Sequence, residues 1–184
     1  MAMTSPQDMT GTWAVDLDHS TAEFSIRHLM ISTVRGRFSQ FSGVIQGNPA
    51  DLTTASAHLS IDVNSIDTRQ NDRDNHLRSA DFFDVSHYPT MTFDSTNISR
   101  VSGDTYNVVG KLTIHGIARE VSVQVEFQGI SKDPWGNTRA GFTGTTRINR
   151  KDFGLMWNQA LETGGVLVGD EVRITVELET VKKD

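Results

Sequence analysis

Residues Val121 to Gln128 read Val-Ser-Val-Gln-Val-Glu-Phe-Gln, and Val172 to Glu179 read Val-Arg-Ile-Thr-Val-Glu-Leu-Glu. Apolar and polar side chains alternate strictly in both. A period of two belongs to a β-strand with one dry and one wet face, and it excludes a helix, whose period is 3.6. The same alternation predicts strands over most of the chain. Thr12 to Asp18 places Trp13, Val15 and Leu17 on one face. Ala22 to His28 turns Phe24 and Ile26 inward. Val34 to Ile45 keeps Val34, Gly36 and Phe38 in phase, then slips by one residue so that Phe41 returns to the dry side, as at a β-bulge. Ala55 to Val63, Thr90 to Arg100, Thr105 to Ile114 and Thr138 to Asn149 follow, and Gly169-Asp170 opens the last strand. Ser102-Gly103-Asp104, His115-Gly116 and Asp133-Pro134-Trp135-Gly136-Asn137 read as turns.

Roughly eight or nine strands joined mostly by short turns make an antiparallel meander. Long amphipathic strands without covering helices either close on themselves or pair with a second sheet. An eight-stranded barrel is just wide enough to hold one small ligand. Two segments are too long for hairpin loops, 64–89 and 150–168. The first contains Asn71 to Arg78, whose Asn and Asp residues suit a helix start, followed by Phe82 and Phe83. The second contains Phe153, Leu155, Met156, Trp157 and Leu161. Large apolar side chains in loops must dock somewhere dry, so both segments are candidate lids on a barrel mouth.

The inward phase is aliphatic and aromatic. Phe24, Ile26, Phe38, Leu59, Ile61, Phe93, Leu112, Ile114, Val123, Val125, Phe142 and Ile174 are the candidate ligand-binding wall, with Phe153, Leu155 and Trp157 from the second lid. His28 falls in the same phase at a strand end, as a hydrogen-bonded core residue or a contact for a ligand's polar head. Gly36, Gly110 and Gly144 are also inward, leaving room for a neighbour's bulk or for a ligand. A cavity lined this way selects a long apolar guest. Each buried methylene contributes ~0.8 kcal/mol, so such a guest exchanges slowly unless a lid opens, which suits a carrier or store better than a rapid-turnover enzyme.

The 184 residues fit one domain over residues 11–181, preceded by a disordered tail, Met1 to Thr10. That tail lacks the basic head and apolar middle of a secretory signal, which places the chain in the cytoplasm, or in an exported compartment if a leader was removed. No apolar run reaches the ~20 residues of a membrane-spanning helix. With no Cys there is no disulfide or thiolate chemistry. A net charge of −6 argues against nucleic acid, or an anionic surface, as a partner of the whole molecule. Locally, Arg27, Arg35 and Arg37 share the wet phase of neighbouring strands and read as a solvated face.

Chemistry-bearing motifs are sparse. Asp72, Asp74 and His76 lie close in sequence, but side chains two apart on a helix do not share a face, and no zinc spacing is present. Capping and pairing with Arg69, Arg73 and Arg78 are expected there, and no metal. There is no nucleophile elbow and no nucleotide fingerprint, so neither catalysis nor a cofactor is expected. Two rival readings remain. One is an enzyme on a lipid-like substrate using His28 or the Asp72–His76 cluster. The other is an interaction protein with a solid barrel, for which, as for a carrier, a homodimer is possible.

The order of several motifs resembles the YceI family of polyisoprenoid-binding proteins. They are Trp13-x-x-Asp16-x-x-His19-Ser20, Phe24-x-x-x-His28, Ser65-Ile66-x-Thr68, Arg73-Asp74-x-His76-Leu77 and Asp81-Phe82-Phe83-Asp84. Tyr88-Pro89, Gly110-x-Leu112-Thr113-Ile114-His115-Gly116, Asn149-Arg150-x-Asp152-Phe153-Gly154 and Val168-Gly169-Asp170-Glu171-Val172 complete the set. The resemblance implies an extended, lipocalin-like antiparallel barrel of eight strands. It implies an isoprenoid or similar long-chain amphiphile inside, with links in some members to quinone biology, transport or stress responses. It makes Arg73, Asp74, His76, Asp152 and Phe153 candidates for lid structure or head-group contact.

Overall fold

A computed structural model describes residues 9–184. Eleven strands, β1 (Gly11–Val15), β2 (Thr21–His28), β3 (Ser32–Phe38), β4 (Phe41–Asn48), β5 (Asp51–Asp62), β6 (Ile66–Asp67), β7 (Thr90–Ser102), β8 (Thr105–Ile114), β9 (Ile117–Lys132), β10 (Thr138–Asn149) and β11 (Val168–Lys183), form one antiparallel sheet; one helix, α1 (Asn71–Arg78), lies between β6 and β7. Three pairs of segments, β1 with β2, β3 with β4 and β5 with β6, are each a single stave interrupted once. The eleven strands therefore make a closed barrel of eight staves. Closure is made by β11, which pairs with β10 along one edge and with β2 and β1 along the other, as in Ile174 opposite Phe24 and Val181 opposite Ala14.

The interruptions are where strand alternation alone misleads. The strand expected over Thr12 to Asp18 ends at Val15, because the Asp16 carboxylate accepts the Asp18 N–H at 3.0 Å and folds Leu17–His19 into a 3₁₀ turn. Asp62 does the same with Asn64 N–H at 3.0 Å, turning Val63–Ser65. Asn149 caps Arg150–Phe153 through Lys151 N–H. In each case a short polar side chain offers the backbone an alternative to the ladder. The slip expected between Val34 and Ile45 is a full break at Ser39-Gln40, with Phe41 buried beyond it.

The barrel has two unlike ends. Staves run alternately, so the start of β1, the end of β11 and the turns at Pro49-Ala50, Gly103-Asp104 and Asp133–Asn137 gather at one end. That end is plugged. Trp13 and Tyr106 are fully buried beside Leu52 and Ala140, Trp13 Nε1 donates to Met9 O, and Tyr106 hydroxyl donates to Ala50 O. Of the expected tail, residues 1–8 lie outside the described residues, while Met9 packs against this plug. The opposite end collects the β2–β3 hairpin tip, the His115-Gly116 turn and both long segments. His115 and Gly116 both take positive φ (55° and 72°), the geometry of a tight two-residue hairpin.

The inward glycines resolve in favour of neighbours. A Cβ on Gly36 would collide with the ring of Phe24, which lies directly across from it, and one on Gly110 would collide with the ring of Phe93. Gly43 lies in the same way under Leu59, a third instance not singled out from sequence. Gly144 is packed less tightly, since an added Cβ would lie 2.9 Å from a Val176 methyl, and it also borders the cavity described next.

Candidate functional site

Above the plug the barrel is hollow. A cavity of about 390 Å³ runs from Leu52, Ile98 and Val108 up to the lids, within the size range of small-molecule sites. Its wall is the inward parity of the staves. Phe24, Ile26 and His28 face it from β2, Phe38 from β3, Leu59 and Ile61 from β5, and Phe93 from β7. Leu112 and Ile114 face it from β8, Val123 and Val125 from β9, Phe142 from β10, and Ile174 from β11. Leu155 and Trp157 border it from the second lid. Phe153 does not. The 3₁₀ turn closed by left-handed Gly154 drives its ring into the wall, where it is 1% exposed among Val63, Ile66 and Met91.

The two long segments meet across the opening. His76 on α1 stacks edge-on against Trp157 (4.7 Å between ring centres) and Phe82 (5.1 Å), and Phe82 also touches Trp157. Phe83 meets Phe38, which in turn meets Phe24. The first lid is held by Asp74. This buried carboxylate accepts from Thr68 N–H (2.9 Å) and Thr68 hydroxyl (2.5 Å), while Arg73 donates to Thr68 hydroxyl and carbonyl oxygens. The second is held by Arg150, whose buried guanidinium donates to the carbonyls of Leu155, Trp157 and Gly169 at 2.6–2.8 Å. Burial lowers its pKa, opposed by Asp170, whose carboxylate stands 3.6 Å away.

Sequence reasoning missed Leu77, Phe82 and Phe83 as lining, although large apolar side chains in a loop were the signal. It also left out Val34, Met91, Val121 and Ile148, which share the inward parity of residues it named. The polar side chains that border the lidded end include Thr68, Arg73, His76 and Arg150. The sequence cluster Asp72, Asp74 and His76 does not converge, since Asp74 turns to Thr68 and His76 pairs with Asp81 at 2.8 Å. A different triple, Asp16, His19 and Glu179, does come together. Its centre is taken by Arg139, whose Nη1 lies 2.7 Å from Asp16 and 2.8 Å from Glu179.

The description of a YceI-like domain matches residues 13–180, which takes in every stave and both lids. The chain belongs to this family. A UPF0312 protein of Staphylococcus aureus (strain bovine RF122 / ET3-1) is 42% identical over 162 residues, 88% of this chain and 92% of the relative. That of strain MW2 is 43% identical over the same lengths. Among solved structures, BcnA of Burkholderia cenocepacia is 32% identical with a TM-score of 0.77, covering 90% of this chain and 98% of that one. A polyisoprenoid binding domain from Saccharophagus degradans, 19% identical, shares the fold with a TM-score of 0.72 over 93% of this chain and 98% of its own. The barrel fold is therefore found well beyond this sequence.

Proposed function

We propose that the cavity holds the chain of an isoprenoid-type long-chain amphiphile, and that the protein sequesters or ferries it without a catalytic step. The observation that carries this reading is the cavity itself, which is continuous, apolar to the bottom, sealed at one end and lidded at the other. The polyisoprenoid binding domain that shares the fold supports it. A guest is oriented by this asymmetry: its tail points at the Trp13–Tyr106 plug, and its head stays by Thr68, Arg73 and His76, where polar groups can meet it. Burial of each methylene contributes ~0.8 kcal/mol, so affinity rises with chain length until the tail reaches the plug.

The test is native mass spectrometry of purified protein, with organic extraction, and titration of the stripped protein with geranylgeraniol. A single bound prenyl chain, or saturable prenol binding displaced by longer prenols, is expected. No extractable lipid, together with no prenol binding by stripped protein, sinks the reading.

A further inference from the structure

Exposed apolar side chains are concentrated at the open end. Of the seven large hydrophobic residues exposed among the described residues, Met30, Ile31, Tyr88, Met156 and Val166 stand there. Ile31 is 79% exposed, Met156 58% and Met30 57%. Met30 and Ile31 crown the β2–β3 hairpin, where Leu29 and Met30 both take positive φ (50° and 60°), a conformation disfavoured for bulky residues. The tip is held in place from two sides. Arg27 Nη2 donates to Met30 O at 3.0 Å, and Leu29 N–H donates to Leu167 O, tying the tip to the second lid that carries Met156 and Val166. These side chains project from separate loops around an opening and do not form one flat patch.

Just below this rim, on the outer wall, Arg35, Arg173 and Arg147 lie in one transverse row, joined through Ser25 of β2. Arg147 pairs with Glu171 at 3.7 Å, and Asp170 is taken up by Lys151 and Arg150. Arg27, Arg35 and Arg173 form no ion pair among the described residues. The molecule's net charge of −6 therefore coexists with a local cationic band beside the mouth.

We propose that the open end docks on an anionic lipid bilayer, with Met30, Ile31, Met156 and Val166 dipping into the interface and the arginine row set against the head groups. Apolar tips backed by arginines match the two layers that a bilayer presents in sequence, acyl chains and then anionic head groups. Docked this way, the cavity opens directly onto the acyl region. The inference extends the carrier reading, but its test needs no cavity ligand.

The experiment is flotation of the protein with vesicles of phosphatidylcholine alone and of phosphatidylcholine with phosphatidylglycerol. Retention on the anionic vesicles, weakening with added salt, is expected of the wild type. The double variant Met30→Ser/Ile31→Ser is retained about tenfold less. Arg35→Gln/Arg173→Gln loses the preference for anionic vesicles, and Val101→Ser/Trp135→Ser, at the plugged end, behaves as wild type. Docking is overturned if the wild type does not float, or if the plugged-end variant loses as much as the rim variant. A concentration-dependent dimer abolished by Met30→Ser/Ile31→Ser also overturns it, in favour of a second copy as the occupant of the rim. Geranylgeraniol binding by the same variants in solution reports on the cavity separately, so failure of docking and failure of the carrier reading are distinguishable.

Discussion

Substituting Ala57→Leu raises the floor of the cavity without touching its mouth. Ala57 faces the void from β5, directly across from Ile45 and just above the plug. The change adds three carbons, so a guest whose tail reaches this depth loses contact for about three of its own. At ~0.8 kcal/mol per buried carbon the loss is about 2.4 kcal/mol, or roughly fifty-fold in affinity. A guest too short to reach the floor loses nothing. The assay is a chain-length series, farnesol, geranylgeraniol and longer prenols, titrated against stripped wild type and variant, with urea unfolding as a control. The substitution fills space, so stability is expected to hold or rise. In the wild type, affinity climbs with length and then levels off; in the variant it levels off at a shorter chain. If long and short prenols weaken equally, the tail does not run toward Trp13, and the orientation assigned to the guest is wrong.

Other consequences follow from single residues. Gly110→Ala places a Cβ against the Phe93 ring and 2.6 Å from Asp94 O, so it costs about 1–3 kcal/mol in urea unfolding, whereas Gly144→Ala meets only valine methyls and costs less. Arg150→Met orphans two carbonyls of the second lid and that of Gly169 in β11, lowering stability by about 3 kcal/mol and speeding proteolysis between residues 155 and 167, while cleavage elsewhere is unchanged. At the plugged end, burial alone would raise the Asp133 carboxyl, but hydrogen bonds from Arg139 and Asn137 outweigh it and hold it far below the usual carboxylate range; Arg139 and His19 likewise lower Asp16. Carboxyls depressed in the fold contribute stability above about pH 4, and that contribution is lost as pH falls through their lowered values. Arg139→Gln therefore moves the acid-unfolding midpoint, followed by circular dichroism, to higher pH, and an unchanged midpoint refutes the assignment.

Most of the wall was legible because alternation is a direct record of which side of a strand is wet. Phe24, Leu59, Val123 and Ile174 could be placed inward without coordinates. The breaks were not legible in the same way. Asp16 and Asp62 each interrupt a stave, and Asn149 ends one, through a side-chain bond to the backbone two residues on, and parity carries no trace of it. Phe153, expected among the lining residues of the second lid, sits inside such a turn and packs into the wall. The contact between the two lids, which were themselves expected, escaped for a different reason. That His76, Phe82 and Trp157 meet is a contact between residues some eighty positions apart, which only the closed barrel brings together. The glycines show a third limit. Parity reads an inward glycine as room for a neighbour or for a ligand without choosing, and only the coordinates make Gly36 and Gly110 seats for rings from the next stave.

Because the barrel is sealed where β11 meets β1 and β2, the seam joins the two extremities of the described chain, with Thr12 opposite Lys183. Such distant pairing carries a large loop-closure entropy and slows folding. During synthesis, the earlier staves emerge with their greasy inner surface uncovered and must wait for the final strand before any enclosure exists. A nascent chain is thus most vulnerable to aggregation just before β11 emerges, and deletion of β11 should leave an open, sticky sheet instead of a smaller vessel.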